Sequence, residues 1–159
     1  IKEISVTTSA QTVAGSVLSV ASALPATYDA AGFAALTYNA VAEVTDIGTF
    51  GKDFTLVTHN PIGDRKTYKF RGSYNNGTLD LKLAKITVLN TDAGQAALTT
   101  ALNDPLDKSI SLRIALQDGS KQYFTGKVMS FTTSIGSVNS ILAGECKIEI
   151  DSDVVETST

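Results

Sequence analysis

The stretch Tyr68-Lys69-Phe70-Arg71-Gly72-Ser73-Tyr74-Asn75-Asn76-Gly77-Thr78-Leu79-Asp80-Leu81-Lys82-Leu83 holds two runs of alternating apolar and polar residues with a turn signal between them. A period of two puts one apolar and one polar face on an extended chain, which is the pattern of a half-buried strand. Tyr68 and Phe70 point one way and Lys69 and Arg71 the other, and Leu79, Leu81 and Leu83 alternate with Thr78, Asp80 and Lys82. Asn75-Asn76-Gly77 favours positive φ, so the two runs are expected to close as a hairpin.

The same logic extends outward. Ile110, Leu112, Ile114 and Leu116 alternate with Ser111, Arg113 and Ala115; Gln117-Asp118-Gly119-Ser120 turns the chain, and Tyr123 to Thr132 returns it. A last run sets Cys146, Ile148 and Ile150 against Glu145, Lys147, Glu149 and Asp151. One segment breaks the period: Ala97, Leu98, Ala101 and Leu102 recur at helical spacing, with Asp92 and Gln95 as a capping box, so a short helix is expected over about 92–103, stopped before Pro105. Hairpin-paired strands with one flanking helix read as a mainly β domain, a β-sandwich or partly closed antiparallel barrel.

The 159 residues and 16.7 kDa fit one core, and 43% hydrophobic with 18% charged residues describes an ordered chain. Two spans fit a compact sandwich poorly. Residues 1–27 read as an arm in which Val17, Leu18 and Val20 could form a first strand. Residues 47–66, with Gly48, Gly51, Pro61 and Gly63, read as a long loop carrying Phe50, Phe54, Leu56 and Ile62. Apolar side chains on such segments ask for a partner surface, or else for an extra hairpin folded back on the same domain. The main domain is then 28–151, and 152–159 reads as a flexible tail. Val17, Leu18, Phe50, Phe54, Leu56 and Ile62 are the candidates for contact between subunits.

The residue inventory offers little chemistry. His59, the single histidine, lies in the turn His59-Asn60-Pro61, and Cys146 falls on an apolar strand face without a neighbouring base. No nucleophile elbow, phosphate loop or dinucleotide fingerprint is present. Asn76-Gly77-Thr78 matches a glycosylation acceptor but is explained by the turn, and Asp151-Ser152-Asp153 reads as a solvated acidic end. No enzyme, cofactor or metal site is expected. A net charge of −3 with scattered cations argues against tight nucleic-acid binding, and no run is long and apolar enough for a membrane helix. One cysteine and no recognisable leader point to a protein made and kept in the cytoplasm. A ligand-binding β-sandwich module is a weaker alternative, since aromatics are only 7% and Trp is absent.

Several blocks occur in an order that resembles the major tail tube proteins of long-tailed, non-contractile, siphovirus-type phages. They are 28–38 (Tyr28-Asp29-Ala30-Ala31-Gly32-Phe33-Ala34-Ala35-Leu36-Thr37-Tyr38), Val41-Ala42-Glu43-Val44-Thr45-Asp46-Ile47-Gly48, Phe50-Gly51, Lys69-Phe70-Arg71-Gly72-Ser73, Asn76-Gly77-Thr78-Leu79, Asp92-Ala93-Gly94-Gln95-Ala96-Ala97-Leu98, Val138-Asn139-Ser140-Ile141 and Cys146-Lys147-Ile148-Glu149-Ile150. The resemblance implies a structural virion protein of the tail, assembled in the host cytoplasm. Its subunits would form hexameric rings stacked into a hollow tube that carries double-stranded DNA without specific binding. The partners it implies are further copies of the chain, a tape measure protein, and terminator and tip proteins. Phage-like bacteriocin or injection particles built on the same fold are the alternative. A DNA channel must hold phosphates off its wall, and six copies at −3 would carry about −18, weakly screened in a narrow bore. Glu43, Asp80, Glu145, Glu149 and Asp151 are the candidates for facing that lumen.

Overall fold

The computed structural model describes residues 10–87 and 92–158. Its elements are β1 (Val17–Ala21), α1 (Ala30–Ala34), β2 (Asn39–Ala40), β3 (Val44–Asp46), β4 (Asp53–His59), β5 (Tyr68–Asn75), β6 (Thr78–Ala84), α2 (Ala93–Leu102), β7 (Ile110–Ala115), β8 (Lys121–Ser134), β9 (Ala143–Ile150) and β10 (Val155–Thr157). Eight strands make one antiparallel sheet in the order β2-β1-β7-β8-β9-β6-β3, with β10 added beside β8; β4 and β5 pair only with each other. The fold is mainly β, a single curled sheet forming a half-barrel with a helix against it. Of the two forms expected, the partly closed barrel is the one adopted.

Alternation dictates the core. Leu79, Leu81 and Leu83 of β6 meet Ile148, Cys146 and Gly144 of β9 across the ladder, and Leu112, Ile114, Leu18, Val20 and Phe124 complete the inner face. α2 lays Leu98, Ala97 and Ala101 onto this apolar surface. Asp92 caps it, accepting from the backbone N–H groups of Gln95 and Ala42 at 3.2 Å each. Gln95 is itself buried: its Nε2 donates to the Ala42 and Ala84 carbonyls at 3.1 and 3.0 Å, and its Oε1 accepts from Ile86 N–H at 2.9 Å. One amide thereby satisfies three backbone groups that would otherwise sit unpaired beneath the helix. Gly94 lets α2 approach β2, because a Cβ there would lie 2.3 Å from the Ala40 carbonyl oxygen.

The outer face near β7 and β8 is covered as well. Asp29 caps α1 by accepting from Gly32 N–H at 2.7 Å, an arrangement the sequence reading misses. The helix delivers Phe33 onto Tyr123, rings stacked at 5.5 Å, with Tyr28 and Tyr38 alongside. Arg113 lies over Tyr38 at 4.6 Å, and burial pushes the Tyr38 phenol up to about 12.

Four expectations need correction. Asn75-Asn76-Gly77 does not close a hairpin between residues 68–71 and 79–83; it carries the chain out of β5 and into β6, which pairs with β9 and β3. The 47–66 span is not one loop, since β4 lies inside it and pairs with β5. Val155–Thr157, in the span read as a flexible tail, pairs with β8. Leu18, read as a subunit contact, is 1% exposed in the core and offers no surface to another copy. The remainder of the arm, residues 1–9, lies outside the described residues.

Candidate assembly interface

β4 and β5 form a hairpin that stands off the body. Every residue of β4 is exposed, and in β5 only Gly72 is not. The register pairs Asp53 with Asn75, Phe54 with Tyr74, Leu56 with Arg71, Val57 with Phe70 and His59 with Tyr68, with an irregularity between Phe54 and Leu56. One face therefore carries Val57, Phe70, His59 and Tyr68, the last with Lys66 Nζ 5.5 Å from its ring centroid and its hydroxyl donating to Asp64 at 2.7 Å, and the other carries Leu56 with Lys69, Arg71 and the Phe54–Tyr74 pair. Three cations of the hairpin and its root lie over rings: Arg71 on Phe54 at 4.8 Å, Lys52 on Tyr74 at 4.3 Å and Lys66 on Tyr68 at 5.5 Å. Two-stranded ribbons with no second layer are marginal in water, so an apolar face of this kind calls for a surface to cover it.

The hairpin's root is anchored. Phe50 packs on Phe124 with ring centroids 5.0 Å apart, and Asp153 accepts from Asn76 Nδ2 at 3.3 Å while Lys52 Nζ stands 3.6 Å away. The Asn76 hydrogen bond, with Lys52 adding to it, holds the Asp153 carboxyl below the ordinary carboxylate range. At the far end a turn closed by Asp64 N–H on the Pro61 carbonyl leaves Ile62 fully exposed. Of the predicted contact residues, then, Phe54, Leu56 and Ile62 share this projecting element. Phe50 lies half-buried at its root, Val17 is exposed on β1, and Leu18 is internal. Tyr68, Phe70 and Tyr74 belong to the surface too. Reading β5 as a body strand hides them, although the β-forming run Phe54-Thr55-Leu56-Val57-Thr58 upstream was a signal for its true partner.

The second surface is the outer face of β6, β9 and the far half of β8. Asp80, Lys82, Glu145, Lys147, Glu149, Ser130 and Thr132 point away from the core there. The ladder sets Asp80 opposite Lys147 and Lys82 opposite Glu145, with Lys147 Nζ 3.9 Å from Asp80. Glu149 accepts from Thr78 Oγ1 at 2.8 Å and has Lys127 across the β8 ladder. The structure thus gathers three of the five carboxylate candidates on one open face, each matched by a lysine in register. Glu43 lies apart, exposed at φ 60° before β3. Asp151 follows β9 and accepts hydrogen bonds from Thr125 Oγ1, at 2.5 Å, and from Ser109.

The two candidate nucleophile or base residues sit in unhelpful places for catalysis. His59 is exposed on the hairpin, and burial pushes the Cys146 thiol up to about 12, which leaves it a core hydrophobe at neutral pH. Among the described residues no group of three His, Cys, Asp or Glu side chains is placed to hold a metal, and no helix is long and apolar enough to cross a membrane.

No family model and no curated protein matches the sequence. Solved structures do match the fold. A chain in the cryo-EM structure of the anti-feeding prophage baseplate, 6-fold symmetrised, superposes with a TM-score of 0.67 at 10% identity, covering 90% of this chain and 92% of its own. A chain in the cryo-EM structure of the PVC extracellular contractile injection system, described as sheath/tube terminator in the extended state, gives a TM-score of 0.62 at 12% identity, with 94% and 97% covered. At such identities the likeness is one of fold, and both structures come from tail-like contractile particles.

Proposed function

We propose that this chain is a structural subunit of a phage-tail-like particle, joining copies of itself in a ring that stacks into a hollow tube. The observation that carries the reading is the β4–β5 hairpin, a two-stranded element with exposed Leu56, Val57, Phe70 and Ile62 and, among the described residues, no layer against it. An element of this kind is completed by neighbouring molecules. The shared fold with chains of two contractile particles supports the reading, and it favours a phage-like injection particle over the non-contractile phage tube that the sequence resembles. Sheet ends made of very short strands, β2 with two residues and β3 with three, fit a subunit whose ladder is continued by its neighbours.

In this reading the open face of β6 and β9 lines the lumen. Its carboxylates and lysines alternate, so the wall carries little net charge rather than the strongly negative one expected. A wall without excess cation has no counterion release to drive phosphate binding, and either DNA or a protein cargo passes without being held. The role is structural, with further tail proteins as partners.

Negative-stain microscopy of the purified protein, alone and with candidate tail partners, tests the proposal. Rings or hollow tubes about 100 Å wide are expected, from six domains of ordinary thickness around a bore. A compact monomer under every condition, or a bore lined by lysine and arginine in a map, overturns it.

A further inference from the structure

Asn76-Gly77, between β5 and β6, is a pair whose side chain and backbone react with each other in an unfolded chain. The Gly77 peptide nitrogen attacks the Asn76 Cγ, and glycine, with no Cβ, puts nothing in its way. As the N–Cγ bond forms and closes a five-membered succinimide, the nitrogen gives its proton to solvent, the Cγ–Nδ2 bond breaks and ammonia leaves. Water then opens one or other ring carbonyl, which leaves Asp or isoAsp at position 76. No enzyme or oxidant takes part. Ring closure requires only that the 76–77 peptide plane and the Asn76 side chain turn toward each other.

In the folded chain both are held. The peptide plane is fixed at each edge, since the Asn76 carbonyl accepts from Gly51 N–H at 3.1 Å and Gly77 N–H donates to Asn75 Oδ1 at 3.0 Å. The Asn76 side chain is only 9% exposed, and its Nδ2 donates to Asp153 Oδ1 at 3.3 Å. Asp153 also acts through its charge, because a carboxylate beside the pair opposes removal of a proton from the Gly77 nitrogen. We infer that Asn76 is a spontaneous deamidation site whose rate is set by the hairpin root: the closed root keeps the asparagine intact, and an opened root lets the reaction run. This holds whether or not copies of the chain assemble.

The product does not refit the site. Asp at position 76 replaces a donor to Asp153 by a second carboxylate, and like charges in contact repel. IsoAsp routes the main chain through Cβ, which displaces the Asn76 and Gly77 carbonyls from Gly51 N–H and Ile150 N–H, each now 3.1 Å from its partner. Gly51 leads into β4 and Ile150 ends β9, so one altered residue loosens the hairpin from the barrel. The conversion is one-way, and it marks the chains whose root has opened.

Peptide mapping that separates Asn, Asp and isoAsp at position 76, during incubation of the full chain in mildly alkaline buffer, tests the inference. Three hydrogen bonds must break before the ring closes, each worth a factor of about five in the closed-to-open ratio, so the folded chain is expected to convert about a hundredfold more slowly than the same chain unfolded in guanidinium. Asp153→Ala frees the side chain and Asn75→Ala frees Gly77 N–H. Each should speed conversion about fivefold while circular dichroism shows the fold intact. Asn76→Asp, which installs one product directly, should lower hydrogen-exchange protection of the Gly51 amide by at least about fivefold. Equal rates in the folded and unfolded chain, or Asp153→Ala and Asn75→Ala both converting no faster than the unaltered protein, overturn the restraint. A Gly51 amide as well protected in Asn76→Asp as in the unaltered protein overturns the release.

Discussion

β6 and β4 are strands of the same length, seven residues each, and each carries three large apolar side chains. In β6, between β9 and β3 in the sheet, the alternate leucines are buried in the core, whereas in β4 nothing is buried at all. The difference teaches that periodicity reports what a strand needs, and only the surroundings say who supplies it. β6 is satisfied within the chain. In the proposed assembly the hairpin's demand is met by another molecule.

The sharpest way to break this comparison is to truncate one residue on each side of it. Leu81→Ala, at a position 0% exposed, is expected to cost about 3 kcal/mol by urea or thermal unfolding. Phe70→Ala on the hairpin should move the monomer's stability by no more than about 0.5 kcal/mol while suppressing assembly. Equal losses in the monomer would mean the hairpin is packed against its own body in solution. Next in size is Gln95→Leu, which keeps the volume but strips the Ala42 and Ala84 carbonyls and the Ile86 N–H of their partner; about 2 kcal/mol should be lost in chemical denaturation.

Gly94→Ala sets two rules against each other. Helix propensity alone predicts a gain of about 1 kcal/mol. The Ala40 carbonyl at 2.3 Å predicts that helix and strand must separate, with a net loss of about 1 kcal/mol, and calorimetry decides between the signs. The smallest effect concerns pH. The Asp153 carboxyl is depressed by its hydrogen bond from Asn76, so its tether of the hairpin root is fully present above the ordinary carboxylate value of 3.8 and is lost as pH falls through the lowered one. The Gly51 amide, which donates to the Asn76 carbonyl at 3.1 Å, should lose protection relative to its intrinsic exchange rate as pH falls below 3.8 in the unaltered protein, and Asp153→Asn should remove that dependence. An unchanged pH profile in the variant would show that the root is held by Phe50 alone.

Much of the body was legible because local signals and tertiary demands agree there. The β7–β8 hairpin, the acid-and-lysine face of β9, and α2 with its Asp92 cap all follow from period, turn chemistry and capping. The misread strand pairings share one cause. Asn75-Asn76-Gly77 is a good turn sequence, and at φ 87° Gly77 does turn the chain, but a turn does not say whether its two flanks pair with each other. β5 chose β4, and β6 chose β9. α1 was missed because five residues carry too little periodicity to see, although Phe33 was the side chain that the outer face of β8 required. The candidate surfaces were half legible: Phe54, Leu56 and Ile62 were singled out as apolar residues without a home, yet Leu18, equally apolar on a nearby segment, went to the core.

By itself the sequence determined which residues alternate and where helix α2 starts. These are properties of composition and neighbouring positions, and no fold can alter them. Tertiary structure alone decided which strands are partners, because backbone hydrogen bonds between strands carry no side-chain identity and many registers satisfy the same alternation. It also decided that the hairpin stands clear of the core: the half-barrel fills its inner face with leucines, isoleucines and valine from β1, β6, β7 and β9, and β4 and β5 pair only with each other.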